Sequence, residues 1–255
     1  MFEISIVIPC YNESTRLPKT LNKIEKWMAD QQVFEIELIL INDGSEDDTI
    51  ILMHNAKKKF EKKKLCIVKV LNFKHKGYIN ALFRGYRCCS KDVICNMEAD
   101  CSIHPKNFEY FSSYLGDFDM IQGSRILKKN TKDSSNKALL RKLISSLFSF
   151  LFRFIFKCNI YDPQCGFKMI KKKYLLKYLK LIKLDHDGLK VTELTLRFFM
   201  NNHNIKEIPV KNYHDEDSRL VPKFSILNPI PFLKVLVTNL IALLKLYIII
   251  KTEKY

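Results

Sequence analysis

The sequence predicts an α/β fold in which a mostly parallel central sheet is flanked by helices. Short, continuous apolar runs alternate with segments of helical length and spacing, and several of the runs are rich in β-branched residues. Strands that are apolar throughout are typical of parallel sheets covered on both faces. The chain has 255 residues with 47% apolar content, which is enough for one sizeable core.

The predicted elements alternate along the first hundred residues. Strands are predicted at Ile4–Ile8, Glu37–Ile41, Cys66–Leu71 and Val93–Met97, and helices between them at Leu17–Met28, Asp47–Phe60 and Tyr78–Cys88. In an open α/β sheet, ligands bind outside the carboxyl ends of the strands. Residues that follow the strands are therefore the first candidates for a functional site.

Composition narrows the class of partner. The chain carries 43 Lys+Arg against 27 Asp+Glu, a formal charge of +16, which favours an anionic partner such as nucleic acid, acidic lipid or a phosphorylated substrate. The eight cysteines lack metal-site spacing and no signal peptide is recognised, so we expect reduced thiols in a cytosolic environment.

Two carboxylates follow the fourth predicted strand. In the segment ICNMEADCS, residues 94–102, Glu98 and Asp100 are one residue apart. Hard oxygen ligands suit Mg²⁺ or Mn²⁺, which usually take one or two carboxylates and fill the other positions with phosphate oxygens and water. The alternative is that these acidic residues only form a turn or cap a helix.

The loops after the first two strands are also polar. The first loop is Pro9-Cys10-Tyr11-Asn12-Glu13 and the second is Asn42-Asp43-Gly44-Ser45. Asp43 is able to accept hydrogen bonds from a base or ribose, Tyr11 to stack on a ring, and Gly44 to let a backbone approach closely. The alternative is a plain turn with a helix cap.

Taken in order and at their intervals, SIVIPCYNES, LINDGSEDDT and MEADCS resemble the family 2 glycosyltransferases, which have the GT-A nucleotide-sugar fold. His75-Lys76-Gly77 with Ala81 and Gly85 is similar to the glycine-rich helix start of that family, and Gly123-Ser124-Arg125 follows the fifth predicted strand. The resemblance covers residues 3–222.

Two later motifs resemble one subfamily. The segment Asp162-Pro163-Gln164-Cys165-Gly166-Phe167-Lys168 is similar to dolichyl-phosphate and polyprenyl-phosphate glucosyltransferases. Glu207-Ile208-Pro209-Val210, followed by Ser218-Arg219-Leu220, looks like the closing motif of the polyprenyl-phosphate sugar synthases. The resemblance implies an inverting enzyme that moves a hexose, glucose, from a UDP-sugar to a dolichyl or undecaprenyl phosphate.

The resemblance also implies roles for individual residues. Asp100 is expected to be the principal metal ligand, with Ser102 close to the ion. Glu98 stands where the subfamily usually has aspartate, so its longer side chain is expected to bind the metal, a metal-bound water or ribose. Arg125, Lys168 and Arg219 are cations expected near the acceptor or the diphosphate. The implied nucleotide pocket contains Pro9, Tyr11, Asn12, Glu13, Asp43, Gly44, Ser45, Lys76, Gly77, Glu98 and Ala99.

The chain departs from the family at one candidate catalytic position. The usual Asp-x-Glu before the late helix reads Val191-Thr192-Glu193. A hydroxyl acceptor needs a general base, and Asp187 or Glu193 is the candidate for it. A lipid phosphate is already anionic near neutral pH and needs none. The structural alternative is that Glu193 only orients Arg197, four positions later on the same helix.

Two segments are suited to a membrane surface. Residues 139–157 form an amphipathic pattern in which Phe148, Phe152 and Phe156 crowd the polar edge, and residues 231–251 are apolar for about a bilayer span. A central lysine such as Lys245 costs ~3 kcal/mol in the hydrocarbon core, so both segments are predicted to lie in the plane of an anionic membrane. The alternative is that both helices dock on the sheet.

The expected organisation is a catalytic domain over residues 1–222, which includes the 139–157 helix, and a membrane-associated segment over residues 223–255. The chain starts at its first strand, so we expect no N-terminal anchor. The predicted location is the cytoplasmic face of a membrane, the endoplasmic reticulum in a eukaryote or the inner membrane in a bacterium, with peripheral or monotopic attachment. The sequence does not predict an oligomeric state.

Three other functions fit parts of the sequence. One is a family 2 transferase that adds a sugar to a glycan hydroxyl, and another is a relative that binds nucleotide without catalysis. The third is a basic nucleic-acid-binding module, prompted by the charge of +16. It leaves the acidic Asp43, Glu98 and Asp100 unexplained, because carboxylates repel a phosphate backbone.

Overall fold

The computed structural model describes residues 2–63, 66–127, 136–211 and 230–253, without the side chains of 136–144, 187–188 and 230–236. Its elements in chain order are β1 (Phe2–Cys10), α1 (Leu17–Asp30), β2 (Phe34–Asn42), α2 (Thr49–Lys62), β3 (Ile67–Asn72), α3 (Tyr78–Cys88), β4 (Val93–Asn96), α4 (Asn107–Ser112), β5 (Met120–Ser124), α5 (Asn136–Phe156), β6 (Lys168–Lys171), α6 (Lys172–Leu179), α7 (Asp187–Met200), β7 (Ile205–Pro209) and α8 (Ile230–Thr252).

The described strands form a seven-stranded sheet in the order β3-β2-β1-β4-β6-β5-β7. All neighbouring pairs are parallel except those of β6, which runs antiparallel to β4 and β5. The predicted α/β fold with a mostly parallel sheet is therefore confirmed. Because β6 is reversed, its first residue, Lys168, lies beside the last residue of β4, Asn96, at the same rim as the carboxyl ends of the parallel strands.

Helices cover both faces of the sheet, as continuous apolar strands require. One core packs β1 and β2 against α1, α2 and α4, and the other packs the opposite face against α3, α6 and α7. The approach of α3 is close at Gly85, where a Cβ would lie 2.2 Å from Cδ1 of Ile41. The glycine of the helix-start motif thus lets α3 lie directly on the strands that carry the candidate site.

The late helices form a third cluster beside the sheet. Phe152 and Phe156 of α5 pack with Leu196 of α7 and with Leu243 and Leu246 of α8. The prediction that Phe152 and Phe156 lie at the polar edge of α5 was wrong, because α7 and α8 cover that side of the helix. Both predicted helices are present, while the division at residue 222 and the membrane role remain predictions. In the part of the chain that the structure describes, no helix has the length and apolar character required to cross a bilayer.

Candidate active site

The loops after β1 and β2 are bonded to each other at the carboxyl rim of the sheet. The Asn12 N–H donates to Oγ of Ser45 at 3.0 Å, and the Glu46 N–H donates to Oδ1 of Asn12 at 2.8 Å. The Glu13 N–H donates to the hydroxyl of Thr49 at 2.8 Å, at the start of α2. Asn12 has a left-handed backbone, with a φ of 52°. The structure therefore brings these predicted nucleotide-pocket residues together.

Asp43 connects this rim to the loop before α3. Its buried carboxylate accepts the backbone N–H groups of Lys76 at 3.0 Å and Gly77 at 2.8 Å, and Nδ1 of His75 lies 2.9 Å from Oδ2. The His75 ring stacks on Tyr11 with centroids 4.0 Å apart. Both oxygens of Asp43 are engaged by this loop, so Asp43 fixes the position of residues 75–77.

Gly44 and Gly77 have the backbone freedom that this arrangement requires. Gly44 has a φ of 72°, and a Cβ there would lie 2.7 Å from the backbone nitrogen of His75. Gly77 has a φ of 90° immediately before α3. A side chain at either position would be strained. Pro9 lies within β1 opposite Ile41.

Glu13 has a structural partner on the same loop. Its buried carboxylate pairs with the Arg16 guanidinium, with contacts of 2.5 and 2.7 Å, immediately before α1. This ion pair orients the start of α1, so the Glu13 carboxylate already has a partner within the protein.

The acidic pair lies on a tight turn after β4. The Ser102 hydroxyl donates to Oε2 of Glu98 at 2.9 Å, and the Ser102 N–H donates to Oδ1 of Asp100 at 2.9 Å. The Ala99 carbonyl accepts the Thr20 hydroxyl at 2.6 Å, which ties the turn to α1. Burial, followed by the negative charge of Asp100, raises the pKa of the Glu98 carboxyl. A cation placed between the two carboxylates would remove this repulsion.

The turn fits a hard divalent cation. Two carboxylates and the Ser102 hydroxyl offer oxygen ligands only, and the second oxygen of Asp100 has no hydrogen-bond partner among the described residues. The described residues contain no group of three or more His, Cys, Asp or Glu side chains arranged for a metal. Phosphate oxygens and water would therefore complete the coordination, as is usual for Mg²⁺.

Gly166 lies directly against Glu98. A Cβ at Gly166 would lie 2.7 Å from Oε1 of Glu98. The glycine of the 162–168 motif thus leaves room for the longer carboxylate that stands in place of aspartate. No local pattern predicts this contact, because the two residues lie 68 positions apart in the sequence.

Arg125 forms a bidentate ion pair with Asp162 at the same rim. Its Nε and Nη2 donate to the two oxygens of Asp162 at 2.8 and 2.9 Å, and its backbone N–H donates to Oδ2 at 2.9 Å. Burial raises the pKa of the Asp162 carboxyl, but the charge and hydrogen bonds of Arg125 outweigh burial and hold that pKa below its usual value. Strand β5 includes Gly123 and Ser124, so of the predicted segment only Arg125 follows the strand.

One edge of the Arg125 guanidinium remains available to a ligand. Its Nη1 has no hydrogen-bond partner in the described ranges, and its side chain is 37% exposed. The positive charge of Arg125 also counteracts the raised pKa of Glu98, which places it within electrostatic range of the acidic pair. Asp162 thus fixes the plane of a guanidinium whose free edge suits a phosphate oxygen.

Lys168 occupies a different environment from the one that the resemblance implied. Its side chain is fully buried, and Nζ donates to Oε1 of Gln122 and, at 3.2 Å, to the carbonyl of Pro163. Burial lowers the pKa of its ammonium group to about 8. Protein atoms enclose the ammonium group, so any role of Lys168 near the acceptor or the diphosphate would be indirect.

Glu193 is also saturated with protein donors. Its carboxylate accepts the backbone N–H groups of Lys183 and Leu184 and two hydrogen bonds from Arg197, at 2.9 and 2.6 Å. Arg197 in turn donates to Glu253 at 2.7 Å, after α8. This geometry favours the structural alternative over a general base. Asp187 begins α7, but its side chain is not described, and Arg219 lies outside the described residues.

Gln122 and Glu207 form contacts at the same rim. The sequence did not point to Gln122 and predicted no role for Glu207. Nε2 of Gln122 donates to Oε1 of Glu207 at 2.9 Å, and Glu207 accepts the backbone N–H groups of Tyr161 and Asp162 at 2.6 and 2.8 Å. Gln122 precedes the motif that begins at Gly123, and Glu207 belongs to the motif that continues at Ile208. Only the strand pairing shows that the motifs meet.

The sequence of the chain is similar to those of known proteins. The sequence signature of the family described as Glycosyl transferase family 2 matches residues 5–179. The dolichyl-phosphate beta-glucosyltransferase of Dictyostelium discoideum is 25% identical over 228 residues, which are 86% of this chain and 69% of that protein. The protein of the same name from Homo sapiens is 27% identical over 235 residues, 88% of this chain and 71% of that protein.

Solved structures show the same fold. A crystal structure of glucosyl-3-phosphoglycerate synthase from Mycobacterium tuberculosis, in complex with Mn²⁺, UDP and phosphoglyceric acid, matches with a TM-score of 0.65 and 15% identity, over 96% of this chain and 78% of that chain. The family match spans more than half of this chain and includes the loops after β1, β2 and β4. The chain belongs to glycosyl transferase family 2.

Proposed function

We propose that the protein transfers glucose from UDP-glucose to a polyprenyl phosphate, with inversion at the anomeric carbon. The observation that carries the proposal is that Glu98 and Asp100 lie at the same rim of the sheet as Arg125. The guanidinium of Arg125 is held in a fixed plane and keeps one free edge. The two carboxylates suit a cation that binds a diphosphate, and the guanidinium suits a second anionic group. The names of the two dolichyl-phosphate relatives support the acceptor and the sugar.

The nucleotide would lie over the joined loops after β1, β2 and β3. Tyr11 offers a ring surface that already stacks on an imidazole, and Asp43 holds the 75–77 loop at the side of the pocket where uracil would lie. Glu98, Asp100 and Ser102 would hold Mg²⁺ or Mn²⁺. When bound, the ion would neutralise charge on the leaving diphosphate. The remaining members of this pocket are Pro9, Asn12, Glu13, Gly44, Ser45, Lys76, Gly77 and Ala99.

Transfer needs one displacement. An oxygen of the acceptor phosphate forms a bond to the anomeric carbon, the bond from that carbon to the diphosphate breaks, and its electron pair leaves with UDP. An α-linked donor therefore gives a β-linked product. The acceptor phosphate loses its second proton near pH ~6, so it attacks as an anion and needs no general base. Arg125 would hold it, with Arg219 as a further cation.

A phosphate acceptor agrees with the contacts of Glu193. A glycan hydroxyl would require a general base, and five hydrogen bonds from Lys183, Leu184 and Arg197 occupy the Glu193 carboxylate. Asp187 is then the remaining candidate base for a hydroxyl acceptor. An experiment must therefore distinguish transfer to a phosphate from transfer to a glycan hydroxyl.

The test is a transfer assay with purified protein, Mn²⁺ or Mg²⁺, radiolabelled UDP-glucose and a polyprenyl phosphate in detergent. We expect label in the organic extract, and we expect EDTA to abolish it. GDP-mannose and UDP-N-acetylglucosamine run in parallel to identify the donor. Detectable UDP binding without a lipid product from any donor would contradict the phosphate acceptor and direct attention to a glycan hydroxyl.

We also propose that the protein acts at the cytoplasmic surface of a membrane, held by α5 and α8. The side of α5 and α8 away from their shared cluster exposes large apolar side chains, and Lys157, Lys245 and Lys251 are exposed near them. The apolar groups suit the acyl boundary and the lysines suit anionic headgroups. The exposed apolar residues are Leu147, Phe150, Phe154, Val237, Leu240, Ile241, Leu244, Tyr247 and Ile248.

Vesicle flotation tests this surface. We expect the wild-type protein to float with vesicles that contain anionic lipid, and Phe154→Glu with Ile248→Glu to reduce binding at least about tenfold, since burying each such side chain contributes about 1.5–3 kcal/mol. Ile51→Glu is the matched control, because Ile51 is 56% exposed on α2 and Ile248 is 58% exposed. Equal flotation of all three proteins would exclude α5 and α8 as the membrane surface.

A further inference from the structure

Four polar residues form a row across neighbouring strands below the acceptor side of the site. The register pairs Asn96 with Lys168, Lys168 with Gln122, and Gln122 with Glu207. Directly paired residues project from the same face of a sheet. Asn96, Lys168 and Gln122 are fully buried. Buried polar groups are costly unless they are hydrogen-bonded, so the bonds that this row makes indicate what it does.

Lys168, Gln122 and Glu207 form a continuous hydrogen-bonded chain. Nζ of Lys168 donates to Oε1 of Gln122, and Nε2 of Gln122 donates to Oε1 of Glu207 at 2.9 Å. The Gln122 amide is therefore oriented with its oxygen toward the cation and its nitrogen toward the carboxylate. This amide lies between the buried Lys168 ammonium group and the half-buried Glu207 carboxylate, and it connects β6 to β7 through β5.

The chain of bonds ends on the backbone around Asp162. Glu207 accepts the N–H groups of Tyr161 at 2.6 Å and Asp162 at 2.8 Å, while Lys168 donates to the Pro163 carbonyl at 3.2 Å. The backbone is thus held on both sides of Asp162. The Asp162 carboxylate in turn fixes the Arg125 guanidinium.

We infer that Lys168 is a positioning residue that, through Gln122, Glu207 and the 161–163 backbone, sets the orientation in which Arg125 meets the substrate phosphate. This inference rests on the proposed function for its kinetic consequences. Lys168 does not touch substrate and acts through the Asp162–Arg125 pair. The recognised segments at 122–125, 162–168 and 207–210 then form one unit, because residues from each are bonded to the others.

The charge of Lys168 gives the unit a pH dependence. Its ammonium group faces Asp162 and the Cys165 thiol from the 158–167 loop, Glu207 from β7 and Arg125 after β5, and burial holds its pKa at about 8. Below that pH the ammonium compensates Glu207 and Asp162. Above it the compensation is lost, so kcat/KM for the lipid phosphate should fall as pH rises through about 8.

The test is a double-mutant cycle between Lys168→Met and Arg125→Lys. We expect Lys168→Met to lower kcat/KM for the acceptor by about 10²-fold, as a displaced binding group does. If Lys168 acts through Arg125, the double variant loses little more than Arg125→Lys alone. Lys171→Met is the matched control on the same strand, since Lys171 pairs with Asp119 instead. Additive losses, or unchanged kinetics in Lys168→Met, would overturn the inference.

Two further measurements test the inference if Lys168→Met folds poorly or if the proposed function fails. Between about pH 7 and about pH 9.5 the wild-type protein should lose acceptor kcat/KM, while Lys168→Arg, which keeps its charge, should not. Wild-type activity that is flat over this range would count against the inference. If the protein shows no transfer activity, the exchange rate of the Arg125 Nε–H is measured by NMR. We expect a slowly exchanging signal in wild type and Lys171→Met, lost in Lys168→Met, and its retention there would refute the positioning role.

Discussion

Asp100→Asn is expected to lower metal-dependent transfer by about 10³-fold while leaving the fold intact. The carboxylate receives one described hydrogen bond, from the Ser102 N–H at 2.9 Å, and an asparagine oxygen is able to accept the same bond. The turn should therefore keep its shape, while the charge that holds the cation is lost. The measurement is kcat with Mn²⁺, together with calorimetric binding of Mn²⁺ in the presence of UDP.

The matched control for this variant is Asp117→Asn. Asp117 is exposed in the loop before β5, so its substitution changes net charge equally without touching the rim. We expect both variants to unfold at the wild-type temperature and only Asp100→Asn to lose metal binding. Wild-type turnover in Asp100→Asn would remove Asp100 from the metal site and leave Glu98 as the carboxylate to examine.

The sequence was sufficient to predict the first half of the fold and the rim of the sheet at which the candidate residues lie. Continuous apolar strands between amphipathic helices require a covered parallel sheet, and the ends of such strands meet at one rim. Asp43, Glu98 and Asp100 therefore fall together without any knowledge of long-range contacts. Tyr11 and His75 required the structure, because their stacking depends on the path of the loop that Asp43 holds.

The second half of the site was less predictable because it depends on pairing between distant strands. The reversed direction of β6 decides that Lys168 lies beside Gln122, and no local pattern encodes that direction. The same limit applies to Phe152, whose burial depends on α7 and α8. Lys168 was expected near the acceptor or the diphosphate from the resemblance, and Glu193 was a candidate general base with a structural role beside Arg197 as the alternative. In both cases the protein itself satisfies the charged group.

If Arg125 binds the acceptor phosphate as proposed, its contacts give a reason for an ion pair at this position instead of a single arginine. A flexible guanidinium would lose side-chain entropy on binding each phosphate. Asp162 removes this freedom in advance and uses Nε and Nη2, so that Nη1 remains for the ligand. In the proposed mechanism, Asp162 holds the guanidinium in place, and Arg125 would meet the substrate.

Asp162→Asn should damage both stability and transfer, because the substitution places a donating amide in a buried position where an accepting oxygen now meets the Arg125 guanidinium. Leaving a buried polar group without its hydrogen-bond partner costs about 1–3 kcal/mol, and denaturation in urea will measure the loss. Acceptor kcat/KM should fall by about 10²-fold as Arg125 loses its fixed plane. Asp119→Asn is the control, since it breaks ion pairs with Lys171 and His203. An equal loss of kcat/KM in both variants would mean that Asp162 contributes stability alone, whereas loss confined to Asp162→Asn would show that it orients the arginine.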